Sequence, residues 1–314
     1  MTATANRRRA WLMAARPQTL PAGVAPVVLG VGLAVADGVF APLPALAALV
    51  GALLIQVGTN LANDYYDAVN GADTGDSEGF TRVTAGGLIE PARVRRATVL
   101  AFGLAVLVGT YLVFVGGTLT VVIGLSSIAA GVLYTGGPYP YGYYGLGDLF
   151  VFVFFGLVAV TGTYYVQAVS TVAAGPLPPG VPAGTVTVDG LLAGVAVGAL
   201  ATGILVVNNI RDRETDSEAG KRTLAVVLGD RLSRVEYVGL LALAYAVPPV
   251  FWARGYGPAV LAPLTTLPLA ALTARTVLSR TGGDALNPAL ERTGQLLALY
   301  AVLFAAGLAT PEVV

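Results

Sequence analysis

Residues 97–134 read ATVLAFGLAVLVGTYLVFVGGTLTVVIGLSSIAAGVLY and contain no charged side chain. A helix that crosses a bilayer needs about 20 predominantly apolar residues, so this 38-residue stretch is long enough for two. It therefore predicts two consecutive membrane spans, at about 97–115 and 118–134.

The whole chain has the composition of a membrane protein. Of its 314 residues 55% are hydrophobic and 11% are charged, and the mean hydropathy is +0.74; soluble domains carry about 25% charged residues. Seven further apolar runs predict spans at about 19–36, 42–62, 147–168, 189–210, 235–252, 258–277 and 294–310. The expected fold is all-α: one integral-membrane domain over residues 1–314, a multi-pass bundle of about nine transmembrane helices.

The distribution of basic residues indicates the orientation. With the N-terminus in the cytoplasm and nine crossings, 17 of the 18 basic residues fall on the cytoplasmic side and only Arg254 falls outside. Cytoplasmic loops are enriched in Lys and Arg. The N-terminal MTATANRRRAWLMAARP resembles the start of a signal peptide, but no small-residue cleavage site follows a short apolar run, so we interpret it as a retained cytoplasmic flank. A multi-pass location in the cell membrane is expected.

The sequence contains neither cysteine nor histidine. This excludes disulfides, thiol nucleophiles and a Ser-His-Asp triad. A metal ion would have to be held by oxygen ligands, which favours Mg²⁺.

Polar residues collect where the predicted second and sixth spans end. The second runs into Asn60-Leu-Ala-Asn63-Asp64-Tyr-Tyr-Asp67, and the sixth into Asn208-Asn-Ile-Arg211-Asp212-Arg-Glu-Thr-Asp216. Residues at i, i+3, i+4 and i+7 share one face of a helix. Carboxylates clustered in this way repel one another, and acids at helix C-termini oppose the macrodipole, so the pattern predicts a divalent cation between the two helix ends.

Basic residues in the adjoining loops would complete a site for a diphosphate. The candidates are Arg82, Arg211, Lys221 and Arg222. A metal–diphosphate site backed by an apolar bundle suits a substrate with a diphosphate head and a long hydrocarbon tail.

Simpler interpretations remain for several of these residues. Asp73, Asp76, Glu78, Glu214 and Glu218 could be solvated surface acids, and Arg93, Arg95 and Arg96 could be positive-inside anchors. The loop 134–148 holds five tyrosines; it could be an interfacial aromatic belt or a wall that contacts an aromatic acceptor or shields a carbocation. Tyr134 and Asp148 are its candidate site residues, and Phe150, Phe152, Phe154 and Phe155 are expected to face lipid or a prenyl tail.

Asn63-Asp64-x-x-Asp67 with Asp73, together with Asp212-x-x-x-Asp216, resembles the two Asp-rich motifs of UbiA-type intramembrane prenyltransferases. The segments 16–22, 60–71, 134–138, 144–148 and 208–229 are similar to the branch of that family that prenylates 1,4-dihydroxy-2-naphthoate in menaquinone synthesis. Asp73 follows Asp67 by six residues rather than the four of the common family pattern, a spacing similar to that of this branch.

The resemblance implies that Mg²⁺ held by Asp64, Asp67, Asp212 and Asp216 grips a polyprenyl diphosphate, with these acids and Lys221 as the catalytic set. Loss of diphosphate gives an allyl cation, and the naphthol ring attacks it and loses CO₂, giving demethylmenaquinone. The expected substrate-binding residues are Arg16, Asn60, Asn63, Asp73, Arg82, Tyr134, Asp148, Asn208, Arg211 and Arg222. Arg16 is a candidate for the acceptor carboxylate or, equally, a positive-inside flank.

Alternatives remain for the acceptor and for the class of function, and the partners are only partly predicted. The acceptor could instead be hydroxybenzoate, a haem precursor or a glyceryl phosphate lipid. Acids within membrane proteins also mark ion paths, which leaves an ion-coupled transporter as an alternative. The lipid bilayer is an expected partner and nucleic acid is not, and the sequence leaves the oligomeric state open.

Overall fold

A computed structural model describes residues 3–71 and 82–310, with side chains from residue 8 onward. The described residues form helices and no strand. Ten helices follow one another: α1 Ala3–Ala15, α2 Leu20–Ala36, α3 Pro42–Val69, α4 Pro91–Leu133, α5 Gly147–Val172, α6 Val188–Arg211, α7 Arg213–Glu218, α8 Leu224–Ala253, α9 Leu267–Ser279 and α10 Gly283–Leu308.

The predicted spans correspond to these helices, and the all-α prediction is confirmed. Each of the nine predicted segments overlaps helical structure, with 97–115 and 118–134 forming the two halves of α4. Seven helical stretches in the described chain are long and apolar enough to cross a membrane, with α4 counted once. The exact number of nine spans and the side of the N-terminus remain predictions.

The turn inside α4 depends on Gly117. Its φ of 64° and ψ of −152° break the helix between the two spans. A Cβ at this position would lie 2.4 Å from the carbonyl oxygen of Pro178. The Leu177 amide donates to the carbonyl of Phe114 at 2.8 Å. The loop after α5 is therefore packed against this turn.

Helix α6 is the central element, since 16 of its 24 residues are buried. It packs on α5 through glycines: a Cβ on Gly156 would lie 2.5 Å from the carbonyl oxygen of Gly194 and 2.5 Å from the Cα of Gly198. Small residues allow membrane helices to approach closely. This contact holds the first half of α6 against α5, and the second group of predicted site residues lies where α6 ends.

Candidate active site

One large cavity runs between α2, α3, α4, α5 and α6, with a volume of about 640 Å³. Polar and charged side chains line one end, which we call the mouth: Arg16, Thr19, Gln56, Asn60, Asn63, Asp67, Arg82, Asn208, Asn209, Asp212, Asp216 and Lys221. The rest of the wall is largely apolar and reaches Gly109, Val113 and Thr120 in α4. The cavity thus combines a charged entrance with a hydrocarbon-like interior.

Lys221 bridges the two acidic helix ends. Its ammonium nitrogen lies 3.9 Å from Oδ1 of Asp67, on α3, and 3.7 Å from Oδ1 of Asp216, on α7. Asp67 also has the guanidinium of Arg82 at 3.8 Å. Asp67 lies more than 140 positions before Asp216 and Lys221 in the sequence, and the fold brings the three together.

Tyr143 belongs to the same cluster, although the sequence did not single it out within the tyrosine-rich loop. Its hydroxyl donates to Oδ1 of Asp67 at 2.5 Å, and Lys221 Nζ lies 5.0 Å from the centre of its ring. Its carbonyl accepts from the Arg222 amide at 2.8 Å. The loop between α4 and α5 is thereby joined to both Asp-rich segments.

Asp212 lies at the mouth and is paired with Arg211. Arg211 Nε and a terminal guanidinium nitrogen each donate to its carboxylate at 2.7 Å, and the same side chain donates to Asn208 and Asn287 at 2.8 Å. Arg211 is buried and is not part of the cavity wall. In this structure its guanidinium holds Asp212 and Asn208 from the side away from the cavity.

The mouth suits a hard divalent cation. Asp67, Asp212 and Asp216 offer only oxygen donors, which Mg²⁺ prefers. Burial raises the pKa of Asp216 to about 6, with the charges of Asp212 and Asp67 adding to the rise and Lys221 opposing it. A bound cation would add positive charge beside these three carboxylates, to that of Lys221 and the arginines. Within the described residues, however, no group of three acidic side chains is close enough together to hold a metal ion without rearrangement.

The structure does not place Asp64 with the other predicted metal ligands. Its Oδ1 accepts from the Val83 amide at 3.0 Å, and its Oδ2 accepts from the amide and hydroxyl of Thr84 at 3.0 and 2.5 Å. The side chain is buried and is not part of the cavity wall. Since i and i+3 differ by about 60° around a helix, Asp64 can anchor the loop while Asp67 faces the cavity.

A second polar group, around Thr19 and Asn60, also lines the mouth. Arg16 adopts a left-handed conformation with φ of 50°, and its carbonyl accepts from the hydroxyl of Thr19 at 2.9 Å. The Asn60 amide donates to Thr19 at 2.8 Å and to the Ala15 carbonyl at 2.9 Å, and Gln56 donates to Thr19 at 3.2 Å. A left-handed non-glycine residue costs about 1–3 kcal/mol and persists only where its surroundings enforce it.

An aromatic wall leads inward from the mouth. Tyr141 stacks on Phe150 with ring centres 4.0 Å apart, Phe150 lies 5.9 Å from Phe154, and Tyr134 meets Tyr141 edge-on at 5.4 Å. All four rings line the cavity. The phenylalanines predicted to face a tail or lipid include Phe155 on the same wall, while Phe152 packs against the core.

The remaining predicted residues divide between the mouth and other places. Asn63 lines the mouth and accepts from the Thr135 hydroxyl at 2.9 Å. Asp148 is buried beside the cavity rather than on its wall, and its carboxylate oxygens have no hydrogen-bond partner among the described residues. The Arg222 side chain is exposed and is not part of the cavity wall. Asp73, with Asp76 and Glu78, lies outside the described residues.

Comparison with known proteins agrees with this arrangement. The UbiA prenyltransferase family model matches residues 23–295. The 1,4-dihydroxy-2-naphthoate octaprenyltransferase of Mycobacterium tuberculosis is 40% identical over 95% of this chain and 96% of its own length, and that of Escherichia coli is 38% identical over 96% of each. A solved UbiA homologue from Archaeoglobus fulgidus bound to GPP and Mg²⁺ shares the fold, with a TM-score of 0.64 at 15% identity over 96% of this chain and all of its own. The chain therefore belongs to the UbiA prenyltransferase family.

Proposed function

We propose that this protein transfers a polyprenyl chain from polyprenyl diphosphate to 1,4-dihydroxy-2-naphthoate, giving demethylmenaquinone in its quinol form. The observation that carries the proposal is the cavity itself, whose charged mouth opens into an apolar, aromatic-lined interior. The naphthoate acceptor is supported by relatives of that name that are 33–40% identical. The active site faces the cytoplasm of a cell-membrane protein, as the distribution of basic residues indicates.

The donor's diphosphate binds at the mouth between Asp67, Asp212 and Asp216. These three acids would hold Mg²⁺, which supplies positive charge to the diphosphate oxygens as the allylic C–O bond breaks. Arg82 and Lys221, already within 4 Å of Asp67, add direct contacts to the same oxygens. Tyr143 holds Asp67 in place.

The acceptor binds beside Arg16, Thr19, Gln56 and Asn60. A guanidinium can pair with the ring carboxylate, and the amides can bond the ring hydroxyls. The tyrosine and phenylalanine rings face the electron-poor allyl carbon and attract it through their π faces. The left-handed turn at Arg16 sets the backbone position from which its side chain reaches the mouth.

The reaction balances without a protein base. The allylic C–O bond breaks and its electron pair leaves with diphosphate. A new C–C bond forms to the ring carbon that bears the carboxylate, and the electron pair of the broken C–CO₂ bond returns to the ring. No proton has to be removed from the acceptor carbon, which agrees with a chain that contains no histidine.

The test is mass spectrometry of the product formed by the purified protein from dihydroxynaphthoate, a prenyl diphosphate and Mg²⁺. The expected product has gained the prenyl group and lost 44 mass units as CO₂, and chelation of Mg²⁺ abolishes it. 4-Hydroxybenzoate serves as the competing acceptor. Preferential prenylation of hydroxybenzoate would refute the naphthoate assignment but keep the chemistry, and cation uptake into proteoliposomes without any transfer would favour a transporter.

A further inference from the structure

We infer that three glycines on the apolar part of the cavity wall, Gly51, Gly109 and Gly124, make the room that a long prenyl tail occupies and so determine how well long-chain donors are used. This inference rests on the proposed function, because it concerns the donor of that reaction. It assigns a role in substrate selection to residues outside the two Asp-rich motifs.

These three glycines do not serve helix packing. Most glycines in the bundle are in tight contact: a Cβ on Gly30 would lie 2.7 Å from the Val160 carbonyl, and one on Gly198 would lie 2.7 Å from the Phe152 carbonyl. At Gly51, Gly109 and Gly124 a Cβ would meet no atom of another part of the described chain within 4 Å. Glycine inside a helix costs about 1 kcal/mol relative to alanine, and here no close contact offsets that cost.

The open space beside each of these glycines belongs to the cavity. All three glycines line it, from three different helical segments: α3, the first half of α4 and its second half. Their neighbours on the wall are mostly apolar, among them Ala48, Val113 and Ile128, and the hydroxyls of Thr110 and Ser127 bond to carbonyls of their own helix. A side chain added at any of the three would therefore project into space continuous with the charged mouth.

These glycines lie far inside the cavity, away from its charged mouth. At 1.5 Å per residue, Gly51 lies about 24 Å along α3 from Asp67 at the mouth. Gly124 lies at a similar level, because Gly131 packs against Thr59 and the two glycines lie seven and eight residues before that contact. A donor whose diphosphate is held at the mouth must pass its hydrocarbon chain along this wall. A short tail ends before it reaches these glycines, whereas a long one has to run past them.

The experiment compares two donors, geranyl diphosphate and octaprenyl diphosphate, in Gly51→Leu, Gly109→Leu and Gly124→Leu proteins. The expected result is a fall of at least about tenfold in the ratio of kcat/KM for the long donor to that for the short one. Gly51→Leu and Gly124→Leu should spare the geranyl donor to a similar extent, because the two positions lie at a similar depth. Gly103→Leu is the matched control, because Gly103 lies on α4, is exposed, is off the cavity wall and also has open space at its Cβ.

A second readout avoids the acceptor altogether. Each donor, added with Mg²⁺, should raise the melting temperature of the wild-type protein, and the leucine variants should lose the shift from octaprenyl diphosphate while keeping that from geranyl diphosphate. A leucine variant that fails to fold is replaced by the alanine variant at the same site. An unchanged long-to-short ratio together with unchanged thermal shifts overturns the inference. If the wild-type protein binds both donors but does not prenylate dihydroxynaphthoate, the proposed function fails and the tail assignment stands.

Discussion

The hydroxyl of Tyr143 donates a 2.5 Å hydrogen bond to the carboxylate of Asp67, across 76 positions of sequence. Through this bond the loop between α4 and α5 is tied to the end of α3. The ring of the same tyrosine lies under Lys221, so one residue connects the acid, the ammonium group and the loop.

Replacing Tyr143 with phenylalanine removes the bond to Asp67 and keeps the ring beneath Lys221. We expect kcat to fall about 10- to 100-fold, the usual effect of losing a residue that orients a metal ligand. Steady-state kinetics of prenyl transfer would measure it, with Tyr139→Phe as the control, since Tyr139 is 78% exposed and off the cavity wall. A Tyr143→Phe enzyme as active as the control would show that the bond has no part in turnover.

Asp67→Asn should mainly reduce activity, whereas Asp64→Asn should mainly reduce stability. Asn at 67 removes a charge from the mouth, so transfer should fall by at least about 100-fold while the protein stays folded. Asn at 64 sets an amide group against the donors of Val83 and Thr84, which costs about 1–3 kcal/mol and should lower the melting temperature. The discriminating measurement is the Mg²⁺ concentration for half-maximal activity, which should be unchanged in the Asp64 variant. A large rise there would return Asp64 to the metal-binding set.

Lys221→Gln should weaken binding of the donor. The ammonium group lies within 4 Å of both Asp67 and Asp216, where diphosphate oxygens are expected, and a charged hydrogen bond contributes about 1.5–3 kcal/mol. The KM for prenyl diphosphate should therefore rise about 10- to 100-fold. Arg231→Gln, at an exposed position on α8, is the matched control. Equal KM values in the two variants would remove Lys221 from the diphosphate site.

Asp216→Asn should show that the acidic cluster lowers stability without metal. Because burial raises the pKa of Asp216 from 3.8 to about 6, the folded state holds the proton more tightly than the unfolded state does, and this group's contribution to stability declines as pH rises from about 4 to 6. In EDTA at pH 7.5 the Asn variant should melt no lower than the wild type, despite its lost contact with Lys221. Added Mg²⁺ and donor should stabilise the wild type alone. A variant that gains as much from them as the wild type would argue against Asp216 as a ligand.

Gly117→Ala tests the turn that divides α4. The substitution forces a side chain into a left-handed conformation and places its Cβ 2.4 Å from the Pro178 carbonyl oxygen, so part of the backbone must move. We expect a clear loss of thermal stability in detergent, measured by melting temperature. Gly103→Ala, in the same helix with open space at its Cβ, should melt like the wild type. Equal melting temperatures would show that the turn tolerates the displaced geometry.

The sequence by itself determined the membrane class, the helical segments and the two acidic helix ends, because these depend on local composition and on spacing along one helix. Uncharged runs such as 97–134 can be stable only in a bilayer or a buried bundle, and residues three or four apart must share a face. Only the tertiary structure decided which member of each motif faces the cavity. Asp64 and Asp67 are both acids on one short segment, yet one binds the backbone of Val83 and Thr84 and the other meets Lys221. Helical periodicity puts both on one broad face, about 60° apart, but which of the two reaches the substrate depends on how α3 is rotated against its neighbours. That rotation is fixed by packing between residues far apart in sequence.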